Sequence, residues 1–200
     1  MSESRLICIV DDDAHVRDSL ALMLGLQGYD CRCYDGAESF LAAPPTRAAC
    51  LILDLRMHGM GGLGLQQALK RLPHAHQVIF LTAYADTEVM REAFIEHAVD
   101  FLEKPVQPER LLRALEIGFA RLQEQSRHSQ WQHRLDKLTP REHEVYQAII
   151  QGLSHREVGE RLNISPRTVE VHKARIMDKL GVATLAELLR LALAAPHSTD

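Results

Sequence analysis

Short apolar runs recur through the first 118 residues: Leu6–Val10, Tyr29–Tyr34, Ala49–Asp54, Val78–Leu81 and Val99–Leu102. Such short apolar runs are strand candidates. Between them the spacing changes to that of helices. Ala14–Gln27 places Val16, Leu20, Met23 and Leu24 on one side and stops at Gly28, a residue suited to the left-handed turn after a helix. Gly36–Ala42 is short, Leu63–Leu72 stops before Pro73, and Thr87–His97 follows Asp86, a natural N-cap. Pro108–Leu122 opens with Pro and Glu in its first turn. Strands alternating with helices predict parallel βαβ units and a doubly wound α/β sheet.

The pattern then changes. Residues 120–136, ARLQEQSRHSQWQHRLD, are polar, with Leu122, Trp131 and Leu135 as sparse apolar anchors. Residues 121–137 therefore read as a linker, an extension of the preceding helix or an exposed tether. From 138 onwards no strand pattern remains. Thr139–Glu142, Ser154–Glu157 and Thr184–Glu187 each carry the Ser/Thr-x-x-Glu spacing of a capping box. Ser165-Pro166 opens a further helix that runs to Leu180 and ends at Gly181. The expected organisation is an α/β domain over 1–120, a linker over 121–137, and a four-helix domain over 138–200.

Charge sharpens that division. The whole chain carries −4, but residues 1–118 hold 11 Lys and Arg against 17 Asp and Glu, and residues 119–200 hold 12 against 10. Two units with different partners are implied. Cys8, Cys31, Cys33 and Cys50 lie in or beside strand-like runs without a CxxC spacing, as small core residues of a reduced, cytoplasmic protein would. Arg5 and Asp11 interrupt the N-terminus too early for a secretory or membrane-spanning segment, so no membrane partner is expected. The eleven histidines, His74, His76, His128 and His133 among them, lack the spacing of a metal site and read as solvated surface.

In an open parallel sheet, ligands bind beyond the carboxyl ends of the strands. Asp11 and Asp12 follow the first strand, Asp54 ends the third, Thr82 follows the fourth, and Lys104 follows the fifth. Three crowded carboxylates need a cation, and hard oxygen ligands suit Mg²⁺. A hydroxyl and an ammonium nearby suit a phosphoryl group, and an Asp can itself be the nucleophile that accepts one. Asp13 stands apart, as an N-cap of the first helix or a helper at the site's edge. An aspartyl-phosphate phosphatase or transferase is the competing reading, but Asp54-Leu55-Arg56 lacks the second Asp of an Asp-x-Asp pair.

Val10-Asp11-Asp12-Asp13, Leu53-Asp54-Leu55-Arg56-Met57, Leu81-Thr82-Ala83 and Lys104-Pro105 resemble the receiver domain of two-component response regulators. The resemblance implies a five-stranded sheet of order 2-1-3-4-5 with Asp54 as phosphoacceptor. Asp11, Asp12, Asp54 and the backbone carbonyl of Arg56 would hold Mg²⁺ or Mn²⁺. Thr82 and Lys104 would meet the phosphoryl group, Phe101 would change rotamer with Thr82, and the Lys104–Pro105 bond would be cis. One departure stands out: His58 occupies the place where the family usually has Pro.

In the second half, Ser154–Leu162, Asn163-Ile164 and Ser165–Leu180 form a helix, a tight turn and a helix. Val169, Ile176 and Leu180 make the packing stripe of the last of these. Arg167, Glu170, Val171, Ala174 and Asp178 lie opposite, with Lys173, Arg175 and Lys179 at the sides. Periodicity alone leaves an ordinary amphipathic helix equally open. However, Leu138-Thr139-Pro140-Arg141-Glu142, Gly152-Leu153-Ser154 and Ser165-Pro166-Arg167-Thr168-Val169-Glu170-Val171-His172 resemble the LuxR-type DNA-binding domain. Receiver, linker and this domain in order resemble the NarL/FixJ family, its FixJ-like branch in particular. That implies promoter DNA contacted through Arg167, Thr168, Glu170, Val171, Lys173, Ala174, Arg175 and Lys179. It also implies a sensor histidine kinase, a homodimer on activation, and RNA polymerase as partners. The protein would be a regulator rather than an enzyme. The competing class, a transcription factor with a purely structural receiver, need not carry Asp54 and Lys104 together.

Overall fold

The computed structural model describes residues 5–83 and 97–194. It falls into two units, residues 1–125 and 126–200. The helix expected over Thr87–His97 lies outside the described residues up to its last position; His97 sits in a turn with φ +65°.

The first unit alternates β1 (Leu6–Val10), α1 (Ala14–Leu26), β2 (Asp30–Tyr34), α2 (Ala37–Ala42), β3 (Ala49–Asp54), α3 (Gly62–Leu69), β4 (His76–Thr82) and β5 (Asp100–Glu103), and then enters the long helix α4 (Pro108–Leu135). All strand pairs are parallel, in the order β2-β1-β3-β4-β5. The two-residue period of a strand sorts the apolar residues onto two faces. Cys8, Val10, Leu51, Leu53, Val78, Phe80 and Phe101 pack against α2 and α3 through Phe40 and Leu65. Ile7, Ile9, Ile52, Ile79, Leu81 and Leu102 pack against α1 and α4 through Leu20, Leu24, Leu111 and Leu115. Each fully buried Leu or Ile contributes roughly 1.5–3 kcal/mol, so both faces are held independently of any one helix.

His76 departs from the solvated reading given to it. The strand begins two residues earlier than its apolar run, at His76. The alternation therefore turns this side chain toward the same face as Val78 and Phe80. Its ring lies edge-on to Phe40, with centroids 6.1 Å apart. Both ring nitrogens are buried, and burial pushes the imidazole down to about 4.

The second unit contains α5 (Pro140–Ile150), α6 (His155–Leu162), α7 (Pro166–Leu180) and α8 (Leu185–Ala194). Val145, Ile149, Val158, Val169, Ile176, Leu180 and Leu188 form its core, joined by Trp131 and Leu135 from the end of α4. The boxes at Thr139–Glu142 and Ser154–Glu157 close in both directions. The third closes differently. Glu187 N–H donates to Thr184 Oγ1, but the Glu187 carboxylate accepts from Ala183 N–H rather than from Thr184. The turn between α6 and α7 is tight. Asn163 adopts φ +54°, and a Cβ on Gly159 would lie 2.7 Å from the Ile164 carbonyl oxygen, so only glycine admits this approach without a shift.

Candidate functional site

Strand order reverses around β1, between β2 and β3, which opens a crevice at the carboxyl ends of β1 and β3. Asp11 and Asp12 leave β1 there, and Asp54 is the last residue of β3. One carboxylate oxygen from each of the three lies within 4.8 Å of the others. Lys104, just past β5, spans the group: its Nζ donates to Asp11 Oδ2 at 2.7 Å and to Asp54 Oδ2 at 3.0 Å. The Lys104–Pro105 bond is cis, as expected.

The carboxylates differ in setting. Asp11 is 1% exposed. Burial pushes its pKa up, against the hydrogen bonds from Lys104 and from Asp13 N–H that pull it down. Burial likewise pulls the Lys104 ammonium down, but its two carboxylate partners outweigh that and hold it above the ordinary lysine value. Asp12 sits at the rim. Its hydrogen bond with the His58 side chain holds its carboxyl below the ordinary value. Asp13 caps α1, accepting from His15 N–H at 2.8 Å.

Several neighbours fix this crevice. Arg17 Nη1 donates to the Asp11 carbonyl oxygen at 2.6 Å. Arg56 N–H donates to Asp54 Oδ1 at 3.2 Å, which sets the Arg56 peptide beside the cluster. Thr82 is buried, and its carbonyl oxygen accepts from Lys104 N–H at 2.8 Å. Phe101 is also buried, with its ring stacked on Phe80 at 4.9 Å. Behind Asp54, a Cβ on Gly62 would lie 2.4 Å from the Asp54 carbonyl oxygen and 3.1 Å from Leu55 Cα. Helix α3 therefore starts closer to the acidic strand end than any other residue would permit.

The donor set fits a hard divalent cation. Clustered carboxylate oxygens with one rim ligand and a backbone peptide alongside are Mg²⁺ or Mn²⁺ chemistry. Asp11, Asp12, Asp54 and Lys104, expected at this edge, lie together here, and Thr82 adjoins them through its backbone carbonyl, but the strand-end rule passes over two further residues. These are Arg17 and Glu38, whose roles depend on contacts no local pattern encodes. Glu38 Oε1 accepts from Met60 N–H at 2.8 Å, tying α2 to the loop after β3.

In the second unit, α7 presents Arg167, Glu170, Val171, Ala174 and Arg175 to solvent, with Thr168 and Lys173 half-buried. Val171 is 47% exposed, while Val169, Ile176 and Leu180 are buried. The helix is capped at both ends. Ser165 accepts from Thr168 N–H at 3.1 Å, and Arg134 Nη1 donates to the Leu180 carbonyl oxygen at 2.8 Å. Lys179 is engaged within the unit: its Nζ lies 2.6 Å from Glu142 Oε2 and 3.2 Å from the Lys137 carbonyl oxygen. That partner, with the Thr139 backbone, holds the Glu142 carboxyl down at about 2. On α7, Arg167 and Arg175 are thus exposed cations and Lys173 is a half-buried one.

The response regulator receiver domain family matches residues 7–116, and the bacterial regulatory proteins of the luxR family match residues 136–192. The transcriptional regulatory protein FixJ of Bradyrhizobium diazoefficiens is 34% identical over 199 residues, covering 97% of this chain and 97% of its own. FixJ of Rhizobium meliloti is 38% identical over 191 residues, covering 93% and 94%. Among solved structures, response regulator StyR matches with a TM-score of 0.71 at 34% identity, covering 95% of this chain and 98% of its own. Full-length FixJ from B. japonicum matches with a TM-score of 0.59 at 33% identity, covering 97% and 98%.

Proposed function

The chain belongs to the NarL/FixJ family of response regulators, the DNA-binding regulators of two-component systems, and on that premise we propose that Asp54 is the phosphoacceptor that controls its hold on promoter DNA. The observation that carries the proposal is the bridge made by Lys104. One ammonium touches both Asp11 and Asp54, so the cation that a transferred phosphoryl group needs is already beside the carboxylate that would receive it.

Asp54 attacks the phosphorus of a kinase phosphohistidine. A P–O bond forms as the P–N bond breaks, and the departing imidazole keeps the nitrogen electron pair and takes up a proton. Little covalent work is left for the protein beyond positioning and charge neutralisation. Asp11, Asp12, Asp54 and the Arg56 carbonyl would hold Mg²⁺ or Mn²⁺, which supplies positive charge to the phosphoryl oxygens. Lys104 shifts from the carboxylate to the phosphoryl group. The Thr82 hydroxyl turns toward a phosphoryl oxygen, and Phe101 follows into the space Thr82 leaves. This change at the fourth and fifth strands is the two-state element a switch requires.

The output is a paired hold on DNA. In the second unit, α7 enters the major groove. Arg167, Lys173 and Arg175 meet phosphates, Glu170, Val171 and Ala174 face base edges, and Thr168 sits at the capped N-terminus. Lys179 reaches a phosphate only by leaving Glu142. One short helix supplies limited specificity, so activation works through a homodimer on two half-sites. Residues 121–137 are the tether between receiver and reader, and RNA polymerase is the downstream partner. The protein works in the cytoplasm, where kinase and promoter are both available.

The test is to incubate the full chain with a small-molecule phosphodonor and Mg²⁺ and follow intact mass. The wild type gains one phosphoryl group and binds promoter DNA more tightly; Asp54→Asn does neither. A phosphoryl adduct persisting in Asp54→Asn, or none on the wild type, overturns the assignment.

A further inference from the structure

His58 stands where the receiver family usually has Pro. A proline there has neither a backbone N–H nor a ring donor. His58 uses both on one atom. Its backbone N–H donates to Asp12 Oδ2 at 3.3 Å, and its Nδ1 lies 2.7 Å from the same oxygen. An ionised carboxylate only accepts, so Nδ1 carries the hydrogen. Neither contact involves Asp12 Oδ1.

The loop that delivers His58 is itself fixed. Arg56 N–H is tied to Asp54 at one end, and Met60 N–H to Glu38 at the other. Between them Gly59 takes φ +74°, a conformation other residues rarely adopt. The imidazole is thus presented to Asp12 by a loop anchored on both sides, even though the side chain itself is fully exposed.

Asp12 needs such a partner. Asp11 is fixed by burial, by Lys104 and by Asp13 N–H, and Asp54 by Lys104 and Arg56 N–H. Asp12 is the rim member of the cluster, and its carboxylate pairs with the His58 side chain. Metal-ligating carboxylates are oriented by hydrogen bonds from outside the coordination sphere, and losing such a bond typically weakens metal binding by roughly ten- to a hundredfold.

We propose that His58 is a positioning residue for the divalent cation: it grips Asp12 Oδ2 so that Oδ1 is turned to the metal. This does what a rigid proline cannot do directly, replacing a stiff loop with a hydrogen-bonded one. The inference rests on the phosphoacceptor reading, since it assumes that the cluster binds a cation.

The experiment is a titration of the full chain with Mn²⁺ at one fixed, mildly alkaline pH, with the free ion followed by its paramagnetic resonance signal. The wild type is expected to bind. His58→Ala, which keeps the backbone N–H, is expected to bind about tenfold more weakly. His58→Asn, which returns a side-chain N–H donor near the Nδ1 position, is expected to recover most of that loss. Affinity in His58→Ala equal to or tighter than wild type overturns the role of His58 and leaves the phosphoacceptor reading standing. An Asn variant as weak as the Ala variant also overturns it, because bulk rather than the hydrogen bond would then be responsible. A wild type that does not bind Mn²⁺ overturns both.

Discussion

The two units place their working groups in opposite physical settings. In the receiver Asp11 and Asp54 are sunk at the end of a sheet, Asp11 almost wholly out of water. In the helical unit the working face of α7 is in solvent, with Val171 half-exposed and the charges around it hydrated. A buried charge must be partnered or neutralised, so chemistry and stability share residues in the receiver. An exposed reading face carries no such constraint. Substitutions there are expected to leave the fold alone. The same contrast appears within α7 itself, where Val169 is buried and Val171, two residues on, is not.

The largest effect expected from this contrast is on recognition without stability. Val171→Glu puts a carboxylate on the exposed face of α7 that is proposed to meet DNA, and should weaken promoter binding by at least about a hundredfold, roughly 3 kcal/mol. Urea unfolding of the second unit should move by less than about 0.5 kcal/mol. Unchanged DNA affinity would remove α7 from the groove.

Lys104→Ala is the reverse case. It strips the shared ammonium from Asp11 and Asp54 and should cost the receiver about 2 kcal/mol, less than a fully buried pair because Lys104 is 22% exposed. Denaturant midpoints of the two units, read by separate probes, check it. A shift in the helical unit, or none in the receiver, breaks the comparison.

A smaller effect separates the units by pH. His76 ordinarily titrates near 6.5 but is pushed down to about 4 in the fold. Between those values the unfolded chain takes up a proton that the folded receiver refuses, so receiver stability falls as pH drops from 6.5 toward 4. Glu142 acts in a lower pH range: ordinarily near 4.5, it is held at about 2 by Lys179. Its contribution is complete above 4.5 and is lost only as pH falls toward 2. Acid should therefore soften the receiver first. His76→Leu should flatten the upper slope and Glu142→Gln the lower one, as measured by thermal melting across pH. Simultaneous softening of both units in the wild type contradicts this.

How much of this was legible in the sequence follows the same divide between local and distant causes. Strands β1 and β3 begin and end where their apolar runs do, because burial on both faces leaves an unbroken signal. Strand β4 starts earlier than its run because His76 and Gln77 are polar residues that the sheet nonetheless recruits. Capping boxes at Thr139 and Ser154 were readable because they close within four residues. Thr184–Glu187 has the same letters, yet its carboxylate reaches one residue further back, a choice made by loop geometry. At the site, Asp11, Asp54 and Lys104 were found by counting strand ends, a rule of topology. Glu38, Arg17 and the pairing of Lys179 with Glu142 have no such rule, since each depends on where another element happens to pack.

Lys104 has one more consequence. Because its ammonium already partners Asp11 and Asp54, two of the three carboxylates at the strand ends carry a built-in counter-ion. The chain is expected to keep its fold in a strong chelator, as thermal melting with and without the chelator would check. On the proposed function, a divalent ion would then serve the phosphoryl step rather than the architecture.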